Sequence, residues 1–133
     1  MDEIDVQIQA DINPTEDEAK VKRAIENIFG NVEFEVTPLK RGSQLIARTR
    51  GVDGLTKIYN LLRRERIRDA ARAVLYACTS SNTIIFYLNK QVAYAAHVSF
   101  SQPVAESPLG PIKVEIRCDN PRELIDWLAP RTM

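Results

Sequence analysis

The chain has 133 residues, 44% of them hydrophobic and 27% charged, and its 18 basic and 18 acidic side chains cancel. This is the composition of one ordinary globular domain spanning residues 1–133, which buries about two-thirds of its unfolded surface and needs neither metal nor disulfide to hold a core. Cys78 and Cys118 stand far apart with no zinc-type spacing, no apolar run approaches the roughly 20 residues needed to cross a bilayer, and the opening MDEIDVQIQ is acidic rather than cationic. A cytoplasmic protein with reduced thiols is expected.

The charges are unevenly placed. Residues 1–36 hold ten acids and three bases, residues 37–72 hold ten bases and three acids, and the remainder holds five of each. Such halves can neutralise each other across the fold, pair across a dimer, or leave one basic face exposed.

In chain order, Ile4, Val6, Ile8, Ala10 and Ile12 alternate with polar residues, the period of a strand with one buried face. Asn13-Pro14 ends it. Thr15-Glu16-Asp17-Glu18 reads as a capping box, and Val21, Ala24, Ile25, Ile28 and Phe29 follow at helical spacing up to Gly30. Val32, Phe34 and Val36, then Leu45, Ala47 and Thr49, predict a hairpin around Lys40-Arg41-Gly42-Ser43, with Arg48 and Arg50 on the outward side of its second strand. From Leu55 the pattern is helical through Leu75, with a phase slip around Arg63–Arg66 that predicts two helices or a kink.

Asn82–Phe100 looks like the centre of the fold. Thr83–Leu88 is an almost unbroken β-branched and aromatic run suited to a strand covered on both faces, and apolar residues resume at Val92. Two neighbouring strands are expected, joined at the polar triplet Asn89-Lys90-Gln91, which reads either as a binding position at a sheet end or as a turn. Ser101–Gly110 is expected to be a long loop. Ile112, Val114, Ile116 and Cys118 give a last strand, with Pro111 at its beginning, and Asn120-Pro121-Arg122-Glu123 caps a terminal helix docked by Leu124, Trp127 and Leu128. Helices between hairpins indicate an α+β, two-layer sandwich of a mainly antiparallel sheet with helices on one face.

The constellation with most chemical content is LLRRERIRDAAR, which holds Arg63, Arg64, Arg66, Arg68 and Arg72. Arg64, Arg68 and Arg72 fall at i, i+4 and i+8, so a continuous helix would carry them on one face, where guanidinium groups suit phosphate. With Lys40, Arg41, Arg48 and Arg50 they outline a nucleic-acid surface, to which Asn89, Lys90 and Gln91 would add base or sugar contacts. The plainer reading pairs Glu65 with Arg68, and Asp69 with Arg66 and Arg72, on a solvated face. His97 has no triad neighbours, and no P-loop, dinucleotide, RNP or zinc-finger pattern occurs, so no catalytic residue, metal or cofactor is assigned.

The segments NPTEDEAKVKRAIENIFG (residues 13–30), RIRDAARAVL (66–75), FYLNKQVAY (86–94), SPLGPIKVEI (107–116) and IDWLAPRT (125–132) together resemble a family of uncharacterised archaeal proteins of about this length. The resemblance implies a fold similar to that of the large-subunit ribosomal protein that holds the 5S RNA, and an archaeal, cytoplasmic source. It implies no particular activity, and RNA binding enters through the shared fold alone. The expectation is a non-enzymatic RNA-associated or ribosome-associated domain using the basic helix and hairpin. The alternative is a homodimeric interaction or structural module with no nucleic-acid role.

Overall fold

The strict alternation at the start of the chain builds β1, Ile4–Ile12, which buries Ile4, Val6, Ile8, Ala10 and Ile12 and turns Asp5, Gln7, Gln9 and Asp11 the other way. The computed structural model describes residues 3–30, 32–101 and 110–131. In chain order come α1 (Glu18–Ile28), β2 (Glu33–Pro38), β3 (Ser43–Arg50), a 3-10 turn (Val52–Leu55), α2 (Thr56–Arg64), α3 (Arg68–Ala77), β4 (Thr79–Ser80), β5 (Thr83–Asn89), α4 (Lys90–Tyr94), β6 (Phe100–Ser101), β7 (Pro111–Cys118) and α5 (Pro121–Leu128). The strands form one antiparallel sheet in the order β2-β3-β1-β7-β5-β4, with β6 paired to the far end of β5. The fold is therefore α+β, with a seven-stranded antiparallel sheet and five α-helices among the described residues.

The core is a single apolar layer between sheet and helices. Ile8, Leu45, Phe86, Val114 and Ile116 come from the strands, and Ile25, Ile28, Leu62, Leu75, Leu124 and Ile125 from the helices. Each such side chain is worth about 1.5–3 kcal/mol of transfer from water, which is why strand alternation and helical spacing dictate the architecture. Pro111 sits first in β7, where its missing donor does least harm to a central strand. Cys78 and Cys118 are both free, and burial pushes both thiols up from the ordinary range.

Two local expectations change. The first helix is capped by Asp17, whose carboxylate accepts from Ala19 N at 2.9 Å, rather than by Thr15 and Glu18. The residues after Asn89 do not form a second strand. The Asn89 side chain accepts from Val92 N at 2.9 Å and starts the short α4, so only Phe100–Ser101 returns to pair with β5. An N-cap side chain decides this against an apolar run that fits either state. Most of the long loop expected over Ser101–Gly110 lies outside the described residues.

Candidate nucleic-acid interface

The arginine-rich segment does not form one helix. Arg66 N–H donates to Arg63 O at 3.2 Å and Ile67 N–H to Leu62 O at 3.1 Å, with Arg66 in the left-handed region at φ 57°. This is a Schellman turn in which arginine occupies the position that glycine usually fills, and the apolar Ile67 and Leu62 stand at its two hydrophobic positions. The phase slip thus has a cause: Ile67 is drawn toward the core. Arg64 therefore lies on α2, and Arg68 and Arg72 on α3.

The same turn closes α4 a short distance away. Ala96 N–H donates to Ala93 O and His97 N–H to Val92 O, with Ala96 at φ 65°. The two turns are tied together. Arg64 Nη2 donates to Ala96 O at 3.2 Å, and Val98 N donates to Glu65 Oε1 at 3.3 Å. Glu65 has thus turned toward this junction, where His97 Nδ1 lies 3.6 Å from the same oxygen, instead of pairing with Arg68.

Two further arginines are committed to holding α5. Its last turn contains no basic residue, so its C-terminal carbonyls lack a cation of their own. Arg63 supplies one, donating to Leu128 O at 3.2 Å and Trp127 O at 3.3 Å, while its guanidinium lies 3.4 Å from the centroid of the Tyr59 ring. Tyr59 in turn stacks on Trp127 at 4.6 Å. Arg72 supplies the other, donating to Ala129 O at 3.3 Å and pairing with Asp126 at 2.8 Å.

The polar triplet is also structural in two of its three members. Asn89 is the α4 cap. Lys90, only 5% exposed, donates to Asp11 O at 2.7 Å and to the Glu16 carboxylate at 3.1 Å, and Glu16 also accepts from Asn13 N and Nδ2. A buried ammonium so enclosed has no reach to a base or sugar. Gln91 is exposed at the rim of a hollow of about 340 Å³ between α1 and α4.

The hairpin cations divide as well. Lys40 and Arg41 lie at the β2–β3 turn, beside the end of β1, because Ile12 pairs with Ser43. Arg48 and Arg50 lie at the other end of β3 on the face away from the helices, roughly 20 Å along the strand at about 3.3 Å per residue. There the register sets side chains in rows across β3, β1, β7 and β5: Arg50, Asp5, Arg117, Thr83; then Arg48, Gln7, Glu115, Ile85; then Ile46, Gln9, Lys113, Tyr87. Glu33 and Glu35 of β2 extend the second and third rows. Arg48 pairs with Glu35 at 3.1 Å, Arg50 with Asp5 at 3.2 Å and Arg117 with Glu115 at 3.0 Å. The acidic first quarter and the basic second quarter of the chain partly neutralise each other here. A shallow hollow of about 860 Å³ lies over these arginines.

What remains is a smaller basic surface than the sequence outlined. Arg66 and Arg68 make no side-chain hydrogen bond or ion pair with the described residues, and neither do Arg122 and Arg131. Arg72, Arg122, Arg131, Tyr76 and Asp126 line a groove of about 410 Å³ between α3 and α5, and Asp69, Arg72 and Arg131 line its continuation. Sequence reasoning missed Arg122 and Arg131 because they come from the far end of the chain, and only the packing of α5 on α3 brings them in. No cluster of three His, Cys, Asp or Glu side chains suited to a metal ion occurs among the described residues, and none of their helices is long and apolar enough to cross a membrane.

Comparison with known proteins gives this surface a context. A family model described as RNA binding matches residues 5–118. A UPF0201 protein of Pyrobaculum islandicum is 41% identical over 96% of this chain and 90% of its own length, and one of Thermococcus kodakarensis is 43% identical over 96% and 91%. The crystal structure of a UPF0201 protein from Methanococcus jannaschii is 36% identical and superposes with a TM-score of 0.86, covering 97% of this chain and 95% of that one. With a match from β1 to the end of β7 and archaeal relatives of this identity along nearly its whole length, the chain belongs to the UPF0201 family and to the RNA-binding family whose model it fits.

Proposed function

We propose that this chain is a non-enzymatic RNA-associated domain, of the kind found on or near the ribosome, that contacts the RNA backbone through Arg66 and Arg68 at the start of α3 and through Arg122 and Arg131 of the α3–α5 groove. The observation that carries the reading is the family match over residues 5–118. The geometry supports it in a specific way. Arg68 on α3, Arg122 on α5, Arg66 in the turn before α3 and Arg131 beyond the end of α5 carry guanidiniums without partners among the described residues, and Tyr76 lines the groove between the two helices. Guanidinium groups bind phosphate through paired N–H donors, and an unpaired one gives up no existing bond to do so. A fold similar to that of the ribosomal protein that holds the 5S RNA, which the family resemblance implies, makes a structured ribosomal RNA the first ligand to try. Lys40 and Arg41 add a second, smaller basic point at the end of the sheet where β1 finishes.

The test is retention of nucleic acid by protein purified at low salt, followed by filter binding to total archaeal RNA across a salt series. Binding whose logarithm falls linearly with log salt, with a slope corresponding to about three to four phosphates, is expected. No RNA at any salt would contradict the proposal.

A further inference from the structure

We infer that the sheet face away from the helices is the interface of a homodimer, with a second copy of this chain as its occupant. Among the described residues all five helices pack on one side, and this face is made of outward strand side chains. In the rows of Asp5, Gln7 and Gln9 four acids, Asp5, Glu33, Glu35 and Glu115, balance four bases, Arg48, Arg50, Lys113 and Arg117, and the next row adds only Asp11. A face with so little net charge, and that slightly negative, offers a polyanion little, and pairs of opposite sign suit a protein partner. This surface is therefore separate from the one proposed for RNA.

The rows are self-complementary about one axis. Six strand positions cross the sheet, and its middle falls between β1 and β7. A two-fold axis there, parallel to the strands, stacks β1 on β7 of the second copy and β3 on β5. Asp5 then meets Arg117, Gln9 meets Lys113, and the partly buried Ile46 meets the ring of Tyr87, with no like charges opposed in any row. Neighbouring axes fail. Centred on β1, the axis sets Arg50 against Arg117 and Asp5 against itself; centred on β7, it sets Lys113, Glu115 and Arg117 each against its own copy. Stacked twisted sheets cross at about 30°, which keeps the central pairs closest to this register. The area is sufficient. At about 4.8 Å between strands and 3.3 Å per residue the face measures roughly 24 by 23 Å, so a dimer buries on the order of 1,100 Å² in total, at the threshold for a specific interface.

Sedimentation equilibrium over a series reaching high micromolar protein tests this with two variants, Asp5→Arg and Arg117→Asp. Both side chains are well exposed, 66% and 70%, so neither substitution threatens the fold. The wild type is expected to dimerise, and each variant alone to dimerise at least tenfold more weakly, because it sets like charges against each other at both symmetry-related positions. An equimolar mixture of the two variants is expected to associate as the wild type does, since in the mixed dimer both positions again hold opposite charges. No change within one chain can produce that rescue. A wild type that stays monomeric throughout, variants that dimerise as well as the wild type, or a mixture no better than its components would each overturn the inference.

Discussion

Lys90 is the residue whose role the sequence conceals most completely. Flanked by Asn89 and Gln91 it looks like a cation at a sheet end, available to a ligand, and its placement beneath Glu16 and the Asp11 carbonyl depends on α1 folding back over the end of β1. Nothing local in the sequence shows that a lysine 74 residues away will fill the acceptors left by the Asn13–Glu16 turn. Removing one partner of a buried pair costs about 3–5 kcal/mol. Lys90→Met is accordingly expected to lower unfolding free energy by about 3 kcal/mol in a urea titration, far more than substitution of an exposed lysine. Arg66 is concealed in a different way, since a glycine in its place would have announced the turn. An L-residue in the left-handed region is strained by about 1–2 kcal/mol, and the greater freedom of glycine in the unfolded chain offsets about 0.5–1 kcal/mol of any relief. Arg66→Gly should raise stability by about 0.5 kcal/mol in the same titration, whereas Arg66→Val should lower it by more than 1 kcal/mol.

Among the elements, those with a strong period and their own punctuation were legible. β1, α1, the β2–β3 hairpin, β7 and the Asn120-capped α5 follow from alternation, helical spacing and turn residues, because each buries one continuous face. The stretch after Asn89 was not. Its apolar residues fit strand or helix, and one side-chain cap to Val92 decides the matter. The arginine helix was legible as two helices but not in what its side chains do, since the acceptors that take Arg63 and Arg72 lie about 60 residues further on, at 127–129. This division makes a prediction about stability. Arg63→Leu and Arg72→Leu each leave helix-end carbonyls without a charged donor, a loss of about 1.5–3 kcal/mol. Arg68→Leu, which gives up no such bond, should fall within about 0.5 kcal/mol of the wild type by urea unfolding. Equal effects at all three positions would remove the distinction between structural and available arginines.

At the scale of the whole molecule, two layers give two surfaces of different character. The helical layer exposes guanidiniums that lack partners among the described residues, on α3, on α5 and at the turn before α3, whereas the strand face binds its arginines to carboxylates. Composition gave only equal totals of acid and base, and the opposed halves of the sequence could not reveal that Asp5 and Glu35 would meet Arg50 and Arg48 while the residues around α3 and α5 stayed open. Long-range packing makes that choice. Contact between these open arginines and RNA is tested most directly by the salt dependence of binding in an Arg66→Glu/Arg68→Glu variant. The variant should keep the wild-type unfolding midpoint within a small margin, bind RNA at least tenfold more weakly near physiological salt, and show a log–log salt slope shallower by about two. An unchanged slope and affinity in a folded variant would contradict it.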